Sequence, residues 1–192
     1  MGKGRLEAFS DGVIAVIITI MVLEMKVPHG ADLEALRHVL PVFFSYVLSF
    51  VYVGIYWNNH HHLMHTVKHV AGSIMWANLH LLFWLSLIPF TTGWAGENHF
   101  SAWPTALYGF VLLMAGVAYF LLERAIMACH GGSESMLASA VGDDLKAKIS
   151  MVGYAVAVGL AFAQPMASTA IYAAIALMWL VPDRRIQSRI EE

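Results

Sequence analysis

The chain is 192 residues long, 59% of them hydrophobic and only 12% charged, where a soluble globular domain runs at roughly 45–50% apolar and about 25% charged. Its 11 basic and 13 acidic residues are gathered between long apolar runs and are too few to coat water-facing helices, which excludes a water-soluble domain. The net charge of -2 excludes a strongly basic nucleic-acid binder, and the single cysteine, Cys129, excludes an internal disulfide framework.

A bilayer core of about 30 Å takes about 20 apolar helical residues. Six such spans can be drawn, over residues 6–25, 39–57, 70–92, 101–122, 149–163 and 166–181. The first carries Asp11 inside its apolar run and has no small-residue cleavage site before Lys26, so it is expected to stay in the mature protein rather than act as a signal peptide. After the fourth comes a polar stretch, Cys129 to Lys148. The apolar run from Ile149 to Val181 is too long for one ordinary span. Gln164-Pro165 divides it, because proline lacks a backbone donor and ends or kinks a helix. In the fifth span Ala155, Gly159 and Ala163 recur every four residues, which favours close helix packing. The whole chain is thus read as one all-α, six-span membrane domain.

Lys and Arg are enriched in cytoplasmic loops. With the N-terminus inside, that side holds nine of them: Lys3, Arg5, Lys68, Arg124, Lys146, Lys148, Arg184, Arg185 and Arg189. The outer side holds Lys26 and Arg37 alone. The asymmetry places both termini in the cytoplasm.

The first span opens Arg5-Leu6-Glu7-Ala8-Phe9-Ser10-Asp11 and continues as an apolar helix. An Arg and an Asp at the start of a membrane helix are expensive without partners, and so mark function or structure by default. Arg-x-x-x-Phe-Ser-Asp before such a helix resembles the signature of the transmembrane protein 175 family of potassium channels. The length, the six spans, the cytoplasmic ends and Tyr56-Trp57-Asn58-Asn59-His60-His61 closing the second span are similar to the single-repeat prokaryotic members. The resemblance implies a homotetramer in the lipid bilayer, around a central pore lined by the first helix. Potassium ions would permeate passively through an apolar constriction, with no cofactor and no bound metal. No Thr-Val-Gly-Tyr-Gly run is present, so a carbonyl-ring filter is not expected. The positions matching the family's constriction are Val16, Ile20 and Leu23.

A helix wheel at about 100° per residue, with Val16 as zero, puts Ile20 near +40°, Leu23 near -20°, Val13 near +60°, Thr19 near -60° and Asp11 near -140°. One face therefore stacks Val13, Val16, Ile20 and Leu23 beside the Thr19 hydroxyl, and Asp11 turns away from it. Such a stripe on an arbitrary membrane helix would face lipid or a neighbour, and it is the family resemblance that makes it pore-lining. Glu24, at the outer end, forms either a carboxylate ring that attracts cations or an interfacial pair with Lys26. Asn78 and His80 in the third span, with Asn59 and His60 at the end of the second, are expected to be buried partners of Ser10 and Asp11. With Arg5 and Phe9 they would hold the first helix from behind.

His60, His61, His62, His65 and His69 form the densest polar cluster. His61, His65 and His69 are spaced like metal ligands on a helix face. The cluster also suits a pH-responsive group, and most simply a solvated cap at the membrane edge. The tryptophans Trp57, Trp76, Trp84, Trp94, Trp103 and Trp179 lie mostly near span ends, as an aromatic belt does. A potassium channel is thus the expected function, and no enzyme motif is seen. A proton-coupled or other secondary cation transporter, with Asp11 and the histidines as relay groups, is the alternative.

Overall fold

The structure is a computed structural model that describes residues 2–130 and 145–180. Among these the chain is all helical: α1 (Lys3–Leu23), α2 (Leu33–Arg37), α3 (Leu40–His65), α4 (Gly72–Ser86), α5 (Ile88–Glu97), α6 (Ala102–Cys129), α7 (Leu145–Leu160) and α8 (Pro165–Leu180). Arg184, Arg185, Arg189 and Val181, and most of the polar stretch after α6, lie outside the described residues.

Several boundaries differ from the sequence reading, each for a local reason. Helix α3 does not stop at Trp57 but runs on to His65, and it ends where the Thr66 hydroxyl donates to the Leu63 carbonyl at 2.8 Å. Residues 72–97 form one path interrupted at Leu87. Pro89 cannot donate to the carbonyl one turn back, so α4 closes and α5 opens there. The short α2, in a stretch read as loop, begins where the Asp32 carboxylate accepts from the Ala35 amide at 2.9 Å. Pro165 opens α8 after a turn at residues 161–164.

Among the described residues four helices are long and apolar enough to cross a membrane, α1, α3, the α4–α5 pair taken together and α6, and α8 is a shorter apolar helix. In lipid, apolar association between helices gains little from the hydrophobic effect, and close packing and hydrogen bonds carry it instead. Two buried clusters result. The first joins α1, α3, α4, α5 and α6 through Ile14, Met21, Val53, Leu81, Ile88 and Ala115. The second joins α3, α6, α7 and α8 through Tyr52, Leu112, Tyr154 and Tyr172. Helices α3 and α6 belong to both and form the spine of the bundle.

Small residues set the spacing. The stripe that packs is Gly153 and Ala157 of α7 with Ala161 in the turn just after it, both alanines fully buried and Gly153 against Ile175. The predicted Ala155, Gly159 and Ala163 lie about half a turn away and are exposed. Both series recur every four residues, so spacing alone could not choose between them. On α6, a Cβ added at Gly109 would run into the Tyr172 hydroxyl and ring carbons, and that hydroxyl donates to the Thr105 carbonyl at 3.3 Å. Gly109→Ala should therefore push α8 off α6 and lower stability by about 1–3 kcal/mol. Thermal unfolding of the purified protein, compared with that of Gly159→Ala at an open position, measures it.

Candidate functional site

Helix α1 buries Leu6, Ser10, Ile14, Ile17 and Met21, a repeat of three and four residues that turns one face onto α3, α4 and α5. The other face has no covering element among the described residues. It presents Val16 (54% exposed), Ile20 (42%) and Leu23 (76%) in line, with Phe9 (49%) toward the N-terminus. Val13 is half-buried at the edge, and the exposed Thr19 donates its hydroxyl to the Val16 carbonyl at 2.9 Å. Arg5 shares the exposed side, about -20° from Val16 on the wheel. Arg5 and Phe9 thus do not lie behind the helix as expected.

Behind it stands a directed hydrogen-bond chain from three helices. His60 donates from Nε2 to Asn78 Oδ1 at 2.7 Å. Asn78 Nδ2 donates to Ser10 Oγ at 2.9 Å, and Ser10 donates to the Leu6 carbonyl at 2.9 Å. Ser10 and Asn78 are fully buried and His60 nearly so, and each donor in the chain finds an acceptor, the condition for a tolerable buried polar network.

The other expected members are elsewhere. Asp11 is exposed and accepts from Trp57 Nε1 at 3.1 Å, so its partner is an indole and not the Asn78 group. His80 sits about 200° around α4 from Asn78 and accepts from Trp84 Nε1, one turn on, at 2.9 Å. Asn59, one residue from His60, is half-buried, and its backbone carbonyl accepts from the Tyr119 hydroxyl at 3.2 Å. Three tryptophans read as belt residues thus use their N–H groups, Trp57 on Asp11, Trp84 on His80 and Trp179 on Ser150 at 2.8 Å.

At the far end of α1, Lys26 pairs with Glu97 at 2.6 Å and not with Glu24. The Glu97 carboxylate that accepts its hydrogen bond raises the Lys26 pKa, and Glu24 adds to the shift through its charge. Glu24 lies against α5, where a Cβ on Gly93 would come within 2.9 Å of its carboxylate. At the other end the imidazoles divide into separate groups. His61 and His65 meet at 3.1 Å and His61 stacks on Trp57, whereas His69 lies beyond α3 and packs against His130 with ring centroids 4.5 Å apart. The chain leaves the helix at Thr66, so His61, His65 and His69 share no face, and among the described residues no group of three metal-ligating side chains is close enough to hold an ion.

A second polar seam was not anticipated. Ser45, Ser49, Tyr52 and Tyr56 recur on one face of α3, and Ser49 bonds Thr92 at 2.6 Å and Tyr108 at 2.9 Å. The spacing of four, three and four residues was a visible signal for it.

Fold and surface together define a multi-pass helical membrane protein whose first helix keeps one apolar face uncovered. The profile of the family described as the endosomal/lysosomal potassium channel TMEM175 matches residues 5–89. A potassium channel of a Chryseobacterium strain is 53% identical over 192 residues, all of both chains. One of Streptomyces collinus is 31% identical over 189 residues, 92% of this chain and 91% of that one. The crystal structure of a lysosomal potassium-selective channel TMEM175 homolog from Chamaesiphon minutus shares the fold, with a TM-score of 0.81 over 93% of this chain and 96% of that chain at 24% identity. The chain belongs to the TMEM175 family.

Proposed function

We propose that the chain is the subunit of a potassium channel in the cell membrane. Four copies surround a central pore lined by α1, each crosses the membrane six times, and both termini lie in the cytoplasm. Val16, Ile20 and Leu23 form the constriction, Val13 and Thr19 flank it, and Glu24 rings its outer mouth. Ions pass down their gradient without a cofactor.

The observation that carries this reading is the uncovered face of α1. Lipid could cover Val16, Ile20 and Leu23, but it accepts only at high cost a charge such as Arg5, which is exposed on the same side of that helix. A water-filled axis shared with other copies accommodates both. An apolar ring then limits flow by dewetting. The bacterial relatives named as potassium channels, which match this chain along most of its length, support the choice of ion.

The test is flux from liposomes of the purified protein, with native mass spectrometry for the subunit count. A potassium gradient alone should drive flux, sodium should replace it poorly, and the particle should contain four chains. Flux that requires a proton gradient would instead indicate the coupled transporter.

A further inference from the structure

The connection between α3 and α4, residues 66–71, ties together the two helices that supply His60 and Asn78 to the network behind α1. Its own backbone is held by one side chain from the far end of α6. His130 Nδ1 lies 2.9 Å from the Ile126 carbonyl. A carbonyl only accepts, so Nδ1 carries the proton and the neutral ring leaves Nε2 as an acceptor. Nε2 then receives two backbone amides of the connection, Lys68 N at 3.0 Å and His69 N at 3.4 Å. The His69 ring packs on the His130 ring at 4.5 Å, and Ser73 Oγ meets Cys129 Sγ at 3.4 Å next to it.

We propose that His130 is a proton-operated latch, closed when the ring is neutral and opened when it is protonated. The argument is one of donors and acceptors. An imidazolium has two N–H groups and no acceptor. Protonation leaves the bond to Ile126 intact but points a new N–H at two amide N–H groups within 3.4 Å. The ring must move away, and both amides lose their partner.

The charged and titratable groups around it favour opening. Lys68, a cation, and the His69 imidazole lie on the connection, and Cys129 is the neighbour on α6 itself. Lys3, from α1, is engaged with the His65 carbonyl at 3.3 Å. The first turns of α4, residues 72–78, contribute no titratable side chain. Among the described residues, the carboxylate at the start of α1, Glu7, is engaged with Lys3 at 3.8 Å, and the one on the last two turns of α6, Glu123, is buried seven residues before His130. Opening would free the start of α4, and with it the Asn78 contact to Ser10.

Hydrogen exchange of the full chain in lipid nanodiscs tests the latch, read at the amides of Lys68 and His69 at about pH 7.5 and about pH 5.5, with exchange times scaled to the intrinsic rates. The wild-type protection should fall about tenfold or more in acid. His130→Lys should lack it at both values. His130→Gln, whose carboxamide oxygen accepts but does not titrate, should keep it at both. Wild-type protection that is equal at both values, or that falls equally in His130→Gln, overturns the proposal. If the glutamine fails to restore protection at either pH, ¹⁵N spectra of labelled histidine decide the matter. Nδ1–H at neutral pH and one shared midpoint for ring protonation and amide opening support the latch. Amides that open while His130 is still neutral refute it.

Discussion

Replacing Ile20 or Leu23 with asparagine should raise potassium flux about tenfold and reduce the preference over sodium. An apolar ring blocks ions because water leaves it and the ion would have to shed hydration with nothing to replace it. A carboxamide on each of several subunits supplies both donors and acceptors at that level. A tenfold gain corresponds to about 1.4 kcal/mol of barrier, a modest fraction of the cost of leaving a polar group without partners. Selectivity falls with it, since a wetted ring asks less dehydration of either ion. Val22 is the control: it is 42% exposed on the same helix but about -120° from Val16 on the wheel, so Val22→Asn should leave flux unchanged. Unchanged flux in both Ile20→Asn and Leu23→Asn would take these residues out of the pore.

The contrast between Ile20 and Ser10 shows what periodicity could and could not deliver. The angular sorting of α1 was legible because a helix wheel needs nothing but spacing, and the exposed and buried residues of α1 divide along it. That Ser10, Asn78 and His60 are buried together was legible from another signal, the rarity of polar groups inside apolar spans. Which neighbours they choose was not. His80 is as polar as Asn78 and only two residues away, yet a rotation of 200° sends it to another partner, Trp84. The path of the backbone decides such matters, as at Leu87, where Pro89 interrupts the third apolar run, and at Thr66, where α3 ends and separates His69 from His61 and His65. The choice of Gly153, Ala157 and Ala161 over the equally spaced Ala155, Gly159 and Ala163 depends in the same way on where α6 and α8 stand.

Removing the middle of the buried chain should be the most damaging polar substitution in the bundle. Asn78 accepts from His60 and donates to Ser10, so Asn78→Ala breaks two bonds and leaves the buried His60 N–H without its acceptor, while Ser10 keeps its own bond to the Leu6 carbonyl. Interhelical hydrogen bonds in membranes average only about 0.6 kcal/mol, but a buried group deprived of its partner loses about 1–3 kcal/mol. The expected loss is about 2–4 kcal/mol, read as a fall in the thermal midpoint of the purified protein. His80→Ala provides the comparison. His80 is only partly buried and its bond is to Trp84 on its own helix, so its removal should lower stability by under about 1 kcal/mol. The consequence for α1 separates a packing defect from a positional one. Ser10 is fixed to α4 only through Asn78 among the contacts described for it, so the Asn78 variant should alter flux through the α1 face as well as stability. Equal midpoints for Asn78→Ala and His80→Ala would show that the chain from His60 to Leu6 contributes nothing beyond ordinary packing.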